Sequence, residues 1–161
     1  MPTQNAIGDN GEAIFSGRIT QDSVFKVYFL GEKAPYVDFM LEVLDQVDHS
    51  YFCLVQVKST TLGYSDGGNL RASISDHDLE ELIKRPLPTY LAGVDINSEA
   101  VYICPAFDIN IKYPSIPTKH KLELINKPGS KAELLLLKED IIKYWNNSGS
   151  EIYKTNYQSI L

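Results

Sequence analysis

Asp38, Glu42, Gln56 and Lys58 are polar residues set inside two apolar, strand-like runs, VDFMLEVL from Val37 to Leu44 and YFCLVQVKS from Tyr51 to Ser59. Carboxylate, amide and amine groups gathered on a sheet surface can do one of two things. They can satisfy one another, with Asp38 and Lys58 as a cross-strand ion pair and Gln56 bonded nearby, because a buried charge is costly unless it is compensated. They can instead hold a hard cation. The Asp38 carboxylate, the Gln56 amide oxygen and a backbone carbonyl are ligands of the kind Mg²⁺ takes, and Lys58 would then orient or activate a water. A neutral amide is a weaker ligand than a carboxylate, so Glu42 or an acid of the first helix would have to add charge. Spacing alone leaves both readings open.

Either chemistry requires the groups to share a face. In an extended strand Asp38, Met40 and Glu42 point one way and Phe39, Leu41 and Val43 the other, while Gln56 and Lys58 share a side. The polar stretch Asp45 to Ser50 between the runs makes them a β-hairpin. A five-residue loop, Gln46 to Ser50, pairs Leu44 with Phe52 and sets Asp38 opposite Lys58 and Met40 opposite Gln56. A slip of one residue would scatter the polar groups over both faces.

The rest of the chain supplies the frame. A helix is expected from about Gln4 to Thr20, with Ile7, Ala13, Ile14 and Phe15 as its apolar stripe and Gly8, Gly11 and Gly17 weakening it. Val24 to Leu30 reads as a strand ended by GEKAP, and Leu70 to Ile74 as a short edge strand after the turn-rich TTLGYSDGGN. Ser75 caps a helix over DHDLEELIK, with Asp76 and Asp78 in its first turn and Lys84 and Arg85 in its last, as the helix dipole favours. Thr89 to Asp95 and Ala100 to Ala106 form another strand pair about the turn INSE. After Pro105 the pattern is irregular until a final helix from about Ala132 to Trp145, whose broad apolar face carries Leu134, Leu135, Leu137, Ile141, Ile142 and Trp145. This order implies an α+β or mixed α/β fold of one domain spanning residues 1–161.

Composition narrows the function classes. At 161 residues, 43% hydrophobic and 22% charged, the chain is long enough to bury a core and unlike disordered, collagenous or coiled-coil sequences. A polar, acidic start and the lack of a run of about 18 apolar residues imply no membrane association and a cytoplasmic protein. Cys53 and Cys104, each in an apolar run, read as reduced core thiols. The net charge of −6 argues against a protein that coats nucleic acid by bulk electrostatics. The charge is uneven: residues 1–100 hold seven basic against fifteen acidic residues, residues 101–161 eight against six. Lys112, Lys119 and Lys121 lie in the most basic stretch, which is either a solvated loop or a phosphate-facing surface. Tyr64, in the loop after QVK, is an ordinary surface residue or a base-stacking platform. Trp145 is read as core, with burial against a second copy in a homodimer as the alternative. No phosphate-binding glycine loop and no Ser/His/Asp order occur.

The arrangement YVD at 36–38 followed by QVK at 56–58 resembles the active-site pattern of the PD-(D/E)XK nuclease superfamily, in the variant where Gln replaces the second acid. With IGDNGEAIF before it, and RPLPTYLAGVD and VYICP after it, the chain looks like a family of uncharacterised bacterial domains in that superfamily, over residues 5 to 106. The resemblance implies a restriction-endonuclease-like mixed β-sheet flanked by helices, with residues 107–161 as a C-terminal helical extension. It implies an Mg²⁺- or Mn²⁺-dependent endonuclease, with DNA as the expected substrate. Asp38 would be the principal metal ligand, Gln56 the second, and Lys58 the catalytic lysine that also meets the phosphate. An acid of the first helix, Asp9 or Glu12, would complete the site, with Glu42 as an auxiliary ligand. His77 falls where some relatives also carry His, and is otherwise a surface residue at a helix start. The alternative keeps the fold without the chemistry: an inactive module that binds nucleic acid or a protein partner.

Overall fold

The computed structural model describes residues 2–31, 34–107 and 112–149, so residues 150–161 of the expected extension lie outside it. The fold is α+β: among the described residues, a five-stranded mixed sheet with three α-helices. The strands are β1 (Phe25–Phe29), β2 (Phe39–Val43), β3 (Phe52–Thr60), β4 (Thr89–Asp95) and β5 (Ala100–Pro105), in sequential order across the sheet. The helices are α1 (Gln4–Ile19), α2 (Asp76–Ile83) and α3 (Ser130–Tyr144). Neighbouring strands are antiparallel except β3 and β4, whose parallel pairing needs a crossover, and α2 lies on that connection. Every residue of β4 is buried, as expected of a strand covered on both faces.

Two apolar cores form, one on each face. Phe15 and Ile19 of α1 and Leu134, Leu137 and Ile141 of α3 pack with Leu41, Cys53, Val55, Ala92 and Val101. On the other face Leu79 and Leu82 of α2 join Leu54, Leu70, Leu91, Tyr102 and Ile116. The period-2 alternation explains the split: odd positions of β2 and β3 enter the first core, whereas Leu54 and, partly buried, Met40 enter the second.

Three expectations are corrected. The buried positions of α1 are Gly11, Phe15, Arg18 and Ile19, a different stripe from Ile7, Ala13, Ile14 and Phe15. Arg18 is buried because its guanidinium donates to the Leu122 and Glu99 carbonyls at 3.0 and 2.8 Å. Leu70 to Ile74 is no edge strand. Its apolar residues Leu70, Ala72 and Ile74 cover the second core from above, and Leu70 exchanges backbone hydrogen bonds with Ile116 at 2.9 and 3.0 Å. The hairpin, thirdly, pairs Glu42 with Phe52 and Met40 with Leu54. That is two residues from the expected register, so Asp38 comes level with Gln56 instead of Lys58. A shift of two preserves the face of every side chain.

Candidate active site

The close approach of α1 to β3 starts at Gly11. A Cβ there would lie 1.7 Å from Ser59 Oγ and 2.7 Å from Ser59 Cβ. Hydrogen at this position lets the helix lie directly on the strand, and the next residue, Glu12, then lines a cavity at the end of β3. Thr3 fixes the start of the helix by accepting from Ala6 N–H at 3.2 Å.

Asp38 arrives just before β2. The segment leading to it passes through Tyr36, a non-glycine residue in the left-handed region at φ 67°, a conformation that the surrounding structure must hold in place. Asp38 N–H then donates to the Val55 carbonyl at 3.0 Å, joining the hairpin. Its Oδ2 accepts from Gln56 Nε2 at 2.8 Å and from Val57 N–H at 2.7 Å. The expected ion pair between Asp38 and Lys58 does not form. Lys58 Nζ lies 3.7 Å from Asp78 Oδ2, in the first turn of α2.

Asp9, Glu12, Asp38, Gln56, Lys58 and Asp78 all line this one cavity, of about 540 Å³, with Tyr36 and Phe29 at its sides. Among the described residues four carboxylates and one ammonium therefore face the same space. The carboxyl of Asp38 is held above its ordinary pKa, chiefly by burial, against the opposing pull of the Val57 N–H and the Lys58 charge. Glu12 is also raised, by burial first and then by the neighbouring negative charges of Asp38 and Asp9. Like charges crowded in a half-buried space cost free energy that a bound cation offsets. The donor set suits a hard ion, since Asp38, Glu12 and the Gln56 amide present oxygens and, among the described residues, no sulfur or imidazole lines the cavity. No group of three or more His, Cys, Asp or Glu side chains able to hold a metal occurs among the described residues, so an ion here would draw on the amide and on water.

Other expected site residues stand apart. Glu42 is on the same face but points along the sheet to Tyr28, whose hydroxyl donates to it at 2.8 Å, and it does not line the cavity. Lys112 lies 3.9 Å from Asp76 and Lys121 3.4 Å from Glu123, and Lys119 is exposed. None of the three lines the cavity. Lys121 bridges Tyr102, which aligns through Gly93 with Lys58, so it sits three strand spacings, roughly 14 Å, from the site. Tyr64 shares a hydrogen bond between hydroxyls with Tyr102 at 2.7 Å and leaves 41% of its surface exposed. Trp145 packs against the first core and donates to the Phe52 carbonyl at 2.9 Å.

Sequence reasoning missed Asp78, which it treated as a helix-start acid, and Tyr36, whose hydroxyl lies 3.2 Å from His77 Nε2. The signal for Asp78 was present only as a first-turn carboxylate after QVK, and no spacing rule ties that position to a lysine twenty residues earlier. No helix among the described residues is long and apolar enough to cross a membrane. No family model matches the chain, and no curated protein or solved structure matches it either.

Proposed function

We propose that the chain is a divalent-cation-dependent nuclease that hydrolyses phosphodiester bonds, with DNA as the expected substrate, in the manner of the PD-(D/E)XK enzymes its motifs resemble. The observation that carries this reading is that Glu12 of α1, Asp38 at the entry to β2, and Gln56 and Lys58 of β3 line one open cavity. Asp38, Glu12 and the Gln56 carbonyl oxygen would hold Mg²⁺ or Mn²⁺. When bound, such an ion supplies positive charge that offsets the extra negative charge of the phosphate in the transition state. Asp38 is kept in place by the Val57 N–H and the Gln56 amide, so its other oxygen is presented to the cavity at a fixed angle. Lys58 positions the attacking water and meets a non-bridging phosphate oxygen. Water oxygen bonds to phosphorus as the ester P–O bond breaks, and one water proton ends on the departing hydroxyl.

The carboxylates surrounding Lys58 repel a phosphodiester until a cation is present, so nucleic-acid binding at the cavity should itself depend on the ion. Free, buried thiols at Cys53 and Cys104 accord with a reducing, cytoplasmic setting. A second reading, an inactive module that binds nucleic acid or a protein, draws on the Gln56 donation to Asp38, which occupies a lone pair that a ligand would use. The two readings separate on one substitution. Lys58→Ala should lower cleavage of end-labelled DNA in Mg²⁺ or Mn²⁺ by at least about a hundredfold, of the order seen when a stabiliser of developing charge is removed, while leaving the melting temperature nearly unchanged. Cleavage equal to that of the unaltered protein would end the nuclease reading.

A further inference from the structure

Lys58 has a long, flexible stem and an ammonium surrounded by acids, and such a group settles on whichever carboxylate is closest and best held. The cavity offers it Asp38, Glu12, Asp9 and Asp78, yet among the described residues its one ion pair within 4 Å is to Asp78, at 3.7 Å. Asp78 is not a loose surface acid. Its backbone N–H donates to the Ser75 cap at 3.1 Å, the helix behind it is anchored by buried Leu79 and Leu82, and the exposed N–H groups of the first turn favour a negative charge there.

The same helix also grips the segment that carries Asp38. His77 meets the Tyr36 hydroxyl at 3.2 Å, and just past the helix end Arg85 Nη2 donates to the Pro35 carbonyl at 2.6 Å. α2 therefore holds Lys58 and the approach to Asp38 in a common frame.

We propose that Asp78 is a positioning residue that draws the Lys58 ammonium to the α2 side of the cavity and so keeps it off Asp38 and Glu12. Those two carboxylates are then left open for a divalent cation, and the amine stands beside the ion instead of in its place. Without Asp78, Lys58 turns to the acids it now leaves free and competes with the cation. This rests on the metal-binding part of the function proposed above.

The test is Mn²⁺ binding to the full chain, read by paramagnetic resonance of free Mn²⁺ and needing no cleavage. Asp78→Asn should weaken Mn²⁺ binding roughly fivefold, the factor that a partly exposed ion pair can supply, and Asp78→Glu should return it to within about twofold. Asp76→Asn removes an equal charge from the same helix turn without touching Lys58, and should change binding by less than about twofold. In a Lys58→Met background, Asp78→Asn should have no more effect than Asp76→Asn, because the competitor is gone. Equal effects of Asp78→Asn and Asp76→Asn, or an Asp78 effect that survives Lys58→Met, would overturn the proposal. If the coupling appears but the unaltered protein cleaves neither DNA nor RNA, the nuclease reading fails and the positioning role stands. If it cleaves without the coupling, only the positioning role fails.

Discussion

Two acids lie against this sheet in opposite circumstances. Asp140 of α3 accepts the hydroxyl of buried Tyr90 at 2.5 Å, beside a cavity of about 270 Å³ walled largely by Ile103, Leu136, Leu137 and Pro105. The neighbouring His120 and Glu133 likewise face one another at 3.3 Å. Tyr90 and Asp140 satisfy one another there, and burial together with the Asp140 charge pushes the Tyr90 hydroxyl far above its ordinary pKa, keeping it a donor. Among the described residues Asp38 has hydrogen-bond partners on one oxygen only, and beside it stands Glu12, a second raised carboxyl. A polar group buried with its complement stabilises a fold, whereas like groups buried together mark a place that awaits a ligand. The cavity near α3 has the better apolar walls, yet the one beneath α1 gathers carboxylates, an amide and an amine.

The sharpest way to break this contrast is to lift α1 off β3. Alanine exceeds glycine in helix propensity by up to about 1 kcal/mol, so at an unconstrained position Gly11→Ala would stabilise the protein. Here the added Cβ meets Ser59 Oγ and Cβ at 1.7 and 2.7 Å. The expected result is destabilisation by about 1–3 kcal/mol, as for overpacking in a filled core, measured by denaturant unfolding. Adding Ser59→Gly should recover much of it, since the two sites touch. Mn²⁺ binding should weaken as well, because Glu12 is displaced with the helix. A stabilised Gly11→Ala protein would mean that the approach of α1 does not set the cavity.

Much of this frame was legible in the sequence. The alternation of Phe39, Leu41 and Val43 against Asp38, Met40 and Glu42 fixed which face each residue takes, because a sheet side chain has only two choices. Ser75 and its following acids gave the start of α2 to the residue, since a cap is a local interaction. The register of the hairpin was less accessible. It depends on the loop at 44–50, where Val43 N–H donates to the Tyr51 carbonyl at 2.9 Å and makes the loop two residues longer than expected. Face assignments survived this error only because the shift was even. Asp78 and Tyr36 were illegible as site residues, since a parallel crossover brings α2 to the cavity and no sequence period encodes where a crossover lands. Glu42, by contrast, was legible as a same-face residue, but strand rise carries it away from Asp38 to Tyr28.

On the satisfied side of the contrast, Asp140→Ala strands the Tyr90 hydroxyl, of which 2% of the residue's surface is exposed. An unpaired buried donor costs about 1–2 kcal/mol, which urea unfolding would read as a lower midpoint at unchanged slope. Mn²⁺ binding and cleavage should not respond. If either fell with Asp140→Ala, the two acids would be coupled and the contrast between a closed pair and an open site would collapse.

The smallest effect expected has the opposite sign. Glu12 is raised from its ordinary 4.5 by burial and by its acidic neighbours, so the fold favours its neutral form. Its stabilising contribution is therefore complete below that ordinary value and is lost as pH rises through the raised one. At pH 7 the charged Glu12 is a net cost, and Glu12→Gln should raise the melting temperature. The gain is discounted for the solvent reaching this partly exposed group, to about 0.5 kcal/mol or roughly 1–2 °C. It should vanish near pH 4, where the unaltered side chain is itself largely neutral. Saturating Mn²⁺ should reverse the order at pH 7, because an ion that binds only the folded chain stabilises it more the tighter it binds, and the amide weakens that affinity. A Glu12→Gln protein less stable at pH 7 without metal would place Glu12 among the satisfied acids, alongside Asp140.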